Sequence, residues 1–326
     1  MLILVPLMFL GLTAVVVVAT VSGRRATTPP GPLRQPSPAS ALRARRHLEV
    51  VTGLAWVALV SVAAVGLKGT GGLGPFTAAQ LAGLVPLAAG TAFLLVVVVG
   101  ELTWPQPSGS VRRAVLVRRS TRDLLGRALP AWSAALAVTL VVVLVAAGLT
   151  ATDDGHSVGR TDPHGRFLVD GQVTFGEVTT AVGPYPGWYY GVSLLVATAL
   201  LGALTSLVLR MITSQPAVAD VHEADDQALR RTSVRRVLAG VQTVLGVTLG
   251  GVLYFGGTAL HRLGNDVLVG QPTVSTSPVL AVGGTVASFL GLAVAGASLI
   301  VALTVVITSR VTFGPERAPD VTAASA

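Results

Sequence analysis

"LPAWSAALAVTLVVVLVAAGLT", Leu129 to Thr150, contains no Asp, Glu, Lys, Arg or His. As a helix rising 1.5 Å per residue it would be about 33 Å long, matching the ~30 Å hydrocarbon thickness of a bilayer. Its Val-rich composition is poor helix material in water. In lipid, however, the backbone must satisfy its own hydrogen bonds, and that requirement overrides residue propensity. The stretch therefore predicts a membrane-spanning helix. Six further runs without a charged side chain read the same way: Met1–Ser22, Val50–Leu67, Thr77–Gly100, Trp188–Leu209, Val237–Leu260 and Val279–Ser309. With 52% hydrophobic and 12% charged residues in 326, the chain is far more apolar than a soluble domain. The expected fold is an all-α membrane protein of seven transmembrane helices.

Charge placement orients the spans. "MLILVPLMFLGLTAVVVVATVSGRR" has nothing basic before its apolar run, and Arg24 and Arg25 follow it. A secretory signal has the reverse order. This run reads as an uncleaved span, with Ala19 and Ser22 as the small residues at which cleavage would otherwise fall. The segments after the first, third, fifth and seventh spans hold 19 of the 23 basic residues; Lys68, Arg160, Arg166 and Arg262 are the remainder. Short Arg-rich loops stay in the cytoplasm, so the N-terminus is expected outside and the C-terminus inside. Residues 23–49, 101–128, 210–236 and 310–326 are then cytoplasmic, and 151–187 and 261–278 extracytoplasmic.

The net charge of +8 is thus a topology signal, and it adds anionic lipid at the basic inner surface as an expected partner beside the bilayer itself. Nucleic acid is not an expected partner, because no compact basic domain is available to bind it. Among the basic residues 22 are Arg and one is Lys, amid abundant Ala, Val and Gly, which points to a GC-rich bacterial genome and the plasma membrane. The lack of cysteine excludes disulfides, thiolate catalysis and cysteine-ligated metals.

The inner segments differ in kind. Gly23–His47 is Pro- and Arg-rich and reads as an extended linker. Ser110–Pro130 sets Ala114–Val117 between two Arg pairs, fitting a segment lying along the headgroups with its arginines snorkelling. "DVHEADDQALRRTSVRR", Asp220–Arg236, reads as a short solvated helix with acids first and arginines last, in which Asp226 pairs with Arg230. Its Asp220, His222, Glu223, Asp225 and Asp226 match no metal motif. Its "RRTS" resembles a basic-directed phosphorylation site.

Outside, "RFLVDGQVTF", Arg166–Phe175, flanks Asp170-Gly171 with strand-forming residues, which predicts a two-residue hairpin. With two short strand-like pieces in Asn265–Pro278 it would form a small extracytoplasmic β cap. "GPYPGWYYG", Gly183–Gly191, places Trp188, Tyr189 and Tyr190 at the headgroup level. "DDGHSVGRTDPHG", Asp153–Gly165, holds two histidines, each near an aspartate. His156, His164, Asp154 and Asp162 are candidate zinc ligands, but the segment lacks the rigid framework and supporting shell such sites use. It reads as turns, with no metal and no cofactor expected.

Within the spans no ionisable group falls in a core; Glu49, Lys68 and Glu101 lie at the edges, and proton or ion pathways normally carry such groups. Gln242, Thr243 and Thr248 are the notable polar residues, suited to hydrogen bonds between helices. Gly246 and Gly250 form a GxxxG step, and Gly284, Ser288, Gly291 and Ala295 a small-residue stripe. Together they predict close packing of the last two spans or a homodimer face. Pro6 and Pro86 can bend their helices. No P-loop, HExxH or intramembrane aspartate pair is present.

"GELTWPQPSGSVRRAVLVRRSTRDLLGRALPAW", Gly100–Trp132, and the Gly183–Gly191 stretch resemble segments of uncharacterised multi-pass membrane proteins of actinobacteria. The resemblance covers about a third of the chain, implies a bacterial plasma-membrane setting and carries no activity or site residue with it. The sequence leaves two classes of function: a non-catalytic sensor, accessory or scaffold component with a membrane-protein partner, or a permease for a neutral or apolar solute.

Overall fold

The computed structural model describes residues 39–68, 77–104, 128–169, 172–215, 223–265 and 276–309. They form α1 (Ala39–Lys68), α2 (Ala78–Leu102), α3 (Ala128–Thr150), β1 (Val158–Val169), β2 (Gln172–Val182), α4 (Trp188–Ser214), α5 (Glu223–Asn265) and α6 (Pro278–Thr308). All six helices are long and apolar enough to cross a membrane. The first expected span, Met1–Ser22, lies outside the described residues. So do most of the Pro/Arg linker, residues 105–127, the strand-like pieces within 266–275 and the tail from residue 310.

α5 is the axis of the bundle. At 43 residues it is about 65 Å long, twice the thickness of bilayer hydrocarbon. It packs on every other helix and on both strands, and most extensively on α6. In its most apolar window 78% of residues are buried, against 28% to 39% in the other five helices. A helix buried all round is a core, whereas a helix buried on one stripe has a face left for lipid. The other five helices carry such faces: Leu54, Leu95, Val142, Val196 and Phe289 are all exposed.

Two stretches differ from the sequence reading. α1 begins at Ala39, so the last nine residues of the expected extended linker are helical. They can be helical because Ala44 and Leu48 bury against Leu229 of α5, a contact invisible in local composition. The expected short solvated helix in 220–236 is instead the first part of α5, continuous with the membrane-crossing part. Asp226, Arg230, Thr232, Ser233 and Arg236 are buried there, which overturns the solvated reading. The Thr232 and Ser233 hydroxyls are also withdrawn from any modifying enzyme.

α1 and α2 run antiparallel at close range, Gly100 facing Val51 at one end and Gly66 facing Val85 at the other. Thr77 starts α2 with a capping box to Gln80, whose amide also donates to the Tyr189 carbonyl at 2.9 Å. α2 meets α5 where the Phe93 ring fills the space over Gly240, and Trp56 of α1 packs edge-on to Phe93 at 5.5 Å. The β-hairpin is present and longer than the expected ten residues. β1 and β2 pair antiparallel from Val158↔Val182 to Val169↔Gln172, leaving two residues between the strands. "TDPHG" does not end a strand; it is absorbed as an irregularity of β1 between Asp162 and Gly165. Val158 and Tyr185, at the base of the hairpin, pack with Ala147, Ala259 and Leu263 at one end of the bundle.

Candidate functional site

The loop aspartates are occupied by the turns themselves. Asp154 Oδ1 accepts from the backbone of His156 at 2.9 Å and of Ser157 at 3.0 Å, and from the Thr152 hydroxyl at 2.8 Å. Its Oδ2 accepts from the Ser157 hydroxyl. These bonds, that from the Ser157 side chain first, hold its carboxyl well below the usual range. Gly155 follows in the left-handed region, φ 67°, as a turn here requires. Asp162 accepts from the His164 backbone at 3.0 Å, in a separate irregularity of β1. The His156 ring packs against Tyr189 at 5.5 Å. Among the described residues no three His, Asp or Glu side chains gather as metal ligands.

The small residues of the last two spans lie along one seam between α5 and α6. A Cβ on Gly250 would stand 2.5 Å from the Gly291 carbonyl, and one on Gly291 2.5 Å from the Gly250 carbonyl. Gly246 faces Ser298, and Gly284 faces the backbone of Gly257 and His261. Ser288 bonds the Gly284 carbonyl at 2.9 Å and approaches that of Tyr254 at 3.4 Å. Side chains larger than hydrogen would force these backbones apart.

The densest polar chemistry is elsewhere, at the end of the bundle remote from the hairpin. There the start of α5 meets the ends of α2, α4 and α6 and the first half of α1. Arg230 donates from Nε to Asp226 at 2.9 Å, from Nη1 to the Ile212 carbonyl at 2.8 Å and from Nη2 to the Gln215 carbonyl at 2.9 Å. The pair is 5% and 3% exposed. Arg230 thereby satisfies the free carbonyls that end α4. Gln215 in turn donates its side-chain amide to Glu101, at the end of α2. One turn and a half along α5, Arg236 reaches Thr52 on the buried face of α1 at 3.4 Å and the Ser309 carbonyl at the end of α6 at 3.1 Å. His47 joins the same end, its ring nitrogen 2.9 Å from the Gly100 carbonyl.

Glu101, Thr52, Ser233 and Arg236 line a small cavity there with Phe93 and Val97, about 20 Å³, the scale of a single water. Arg236 Nε has no hydrogen-bond partner. A buried guanidinium with an unpaired donor is costly unless something polar fills the space beside it. Sequence reasoning found the Asp226–Arg230 spacing but not this junction, because its members come from five helices and look like helix-end charges.

Deeper in the bundle Gln242 is 0% exposed and neither amide atom has a hydrogen-bond partner; the Ser298 hydroxyl, over Gly246 one turn away, is also unpaired. Thr243 and Thr248 bond their own helix, to Ala239 and Val244 at 2.8 Å. The expected hydrogen bonds between helices are therefore not made by these three residues. No family model matches the chain, and no curated protein or solved structure matches it either.

Proposed function

We propose that the protein is a non-catalytic component of a bacterial plasma membrane, a scaffold, accessory or sensor subunit. In this reading it crosses the bilayer seven times, with its N-terminus outside and its C-terminus inside. The polar junction lies at the inner end and the hairpin stands outside, where it and a membrane-protein partner can meet. The observation that carries the reading is the enclosure of α5. A permease needs a path along the bundle axis, and here the axis is occupied by a helix most of whose residues are buried against its neighbours. The buried ionic groups are spent on joining helix ends, and the loop histidines share no ligand cluster.

A permease for a neutral solute is the second reading, and the unpaired Gln242 amide favours it, since a polar solute would supply the missing partners. Flux separates the two. The protein reconstituted in liposomes is expected to leave the swelling rate in glycerol, urea and small sugars equal to that of empty liposomes. Acceleration that disappears in Gln242→Leu would establish the permease and defeat the scaffold reading. A photo-crosslinkable residue at Thr161 or Thr179 on the hairpin is expected to capture a discrete membrane protein in cells; lipid-only adducts there would count against a partner at the outer end.

A further inference from the structure

The "RRTSVRR" run of α5 divides its arginines between two jobs. Arg230 and Arg236 turn inward and tie α5 to the ends of α4 and α6. Arg231 and Arg235 turn outward, are exposed, and make no hydrogen bond or ion pair among the described residues. We propose that these two form a headgroup site for an anionic phospholipid of the inner leaflet, a site that rests on the orientation given above.

Their height is set by a neighbour. Arg236 donates to the carbonyl of Ser309, the residue that caps α6, so Arg235 stands level with the end of that apolar helix. α5 runs on past this point for about 20 Å. Along α6 the apolar residues Ile300 and Ile307 are exposed on the way to its end, offering a surface for acyl chains. A lipid lying on α6 would bring its phosphate to the level of the two guanidinium groups. Residues four apart on a helix sit about 6 Å from each other, so both forks can reach one phosphodiester, and each fork matches phosphate oxygens bidentately. The buried ion pair on the neighbouring face of the same helix holds the backbone in place, so the site is presented rigidly: Arg230 is locked to Asp226 and to the α4 carbonyls.

Each close arginine is worth about a fivefold change in affinity for anionic lipid, so two together are worth roughly twentyfold. The test is native mass spectrometry of the full chain in mild detergent, titrated with phosphatidylglycerol, with phosphatidylcholine and with inorganic phosphate. Saturable binding of phosphatidylglycerol is expected, about twentyfold weaker in Arg231→Gln/Arg235→Gln and unchanged in Arg262→Gln, at the far end of the same helix. Arg231→Lys/Arg235→Lys is expected to bind between the wild type and the double Gln variant, since it keeps the charges and loses the bidentate forks. Wild-type affinity in the double Gln variant, equal binding of phosphatidylcholine, or a preference for free phosphate would each overturn the proposal. Because both side chains are exposed, melting temperatures should match the wild type, so that lost binding is not lost fold. The assay does not depend on orientation, so cysteine labelling that inverted the topology would remove the inner-leaflet assignment and leave the binding result standing.

Discussion

Individual residues here do more than their types announce. Asp154 is a surface aspartate whose carboxylate organises a whole turn, and its lowered pKa has a directional consequence. A carboxyl whose folded pKa is depressed stabilises the fold above its unfolded value of about 3.9, and that contribution is lost as pH falls toward the folded value. Melting temperature is therefore expected to be insensitive to this group between pH 5 and 8 and to drop below about pH 4. Asp154→Asn should flatten that acid limb, and an unchanged limb in the variant would remove Asp154 as its source. The same turn accounts for the histidines: His156→Ala with His164→Ala is expected to leave metal content and stability of the purified protein unchanged. Stoichiometric zinc in the wild type, absent from the double variant, would refute this. Asp226 and Arg230 are the opposite case, a pair visible from its i,i+4 spacing whose burial is not. Removing one partner strands a buried charge, so Asp226→Asn should cost roughly 3–5 kcal/mol in detergent unfolding. Asp226→Asn/Arg230→Met should cost less than the sum of the single changes, because neither charge is then left alone.

Among the elements, α5 and α6 are held by shape. Lipid is as apolar as any side chain, so two helices in a membrane gain nothing from hydrophobicity and associate through close packing. Neighbouring glycines on α5 make the test internal: Gly250 meets the Gly291 carbonyl at 2.5 Å from its would-be Cβ, whereas Gly251 meets nothing within 4 Å. Gly250→Leu is expected to destabilise by at least the 1–3 kcal/mol typical of overpacking, since backbone cannot step aside as a flexible side chain can. Gly251→Leu should be near neutral. Equal melting of the two variants would show that the seam does not hold the bundle. The hairpin could be read from Asp170-Gly171 with strand formers on either side, since a two-residue turn is a local event. Its true length, back to Val158 and on to Val182, was hidden because "TDPHG" looks like a turn and is accommodated as an irregularity within a strand.

For the molecule as a whole, threading is the property that charge alone predicts, and the absence of native cysteine makes it clean to measure. Thr161→Cys and Thr276→Cys are expected to react with an impermeant maleimide in intact cells, and Ser214→Cys only after permeabilisation. Labelling of Ser214→Cys from outside would invert the orientation. The sequence by itself determined that this chain makes long apolar helices, because hydrocarbon accepts only a backbone that bonds to itself and runs of some twenty uncharged residues have no cheaper place to be. It also determined the strand pair of the hairpin and the pairing of Asp226 with Arg230, both set by residues close in sequence. Tertiary structure alone decided which helix is the core. α5 contains more charged residues than any other helix, and a local reading places most of them in water. Asp226, Arg230 and Arg236 are buried because the ends of α4 and α6 and the first half of α1 offer them carbonyls and a hydroxyl to bond, and complementarity between separate segments of the chain leaves no mark in either one.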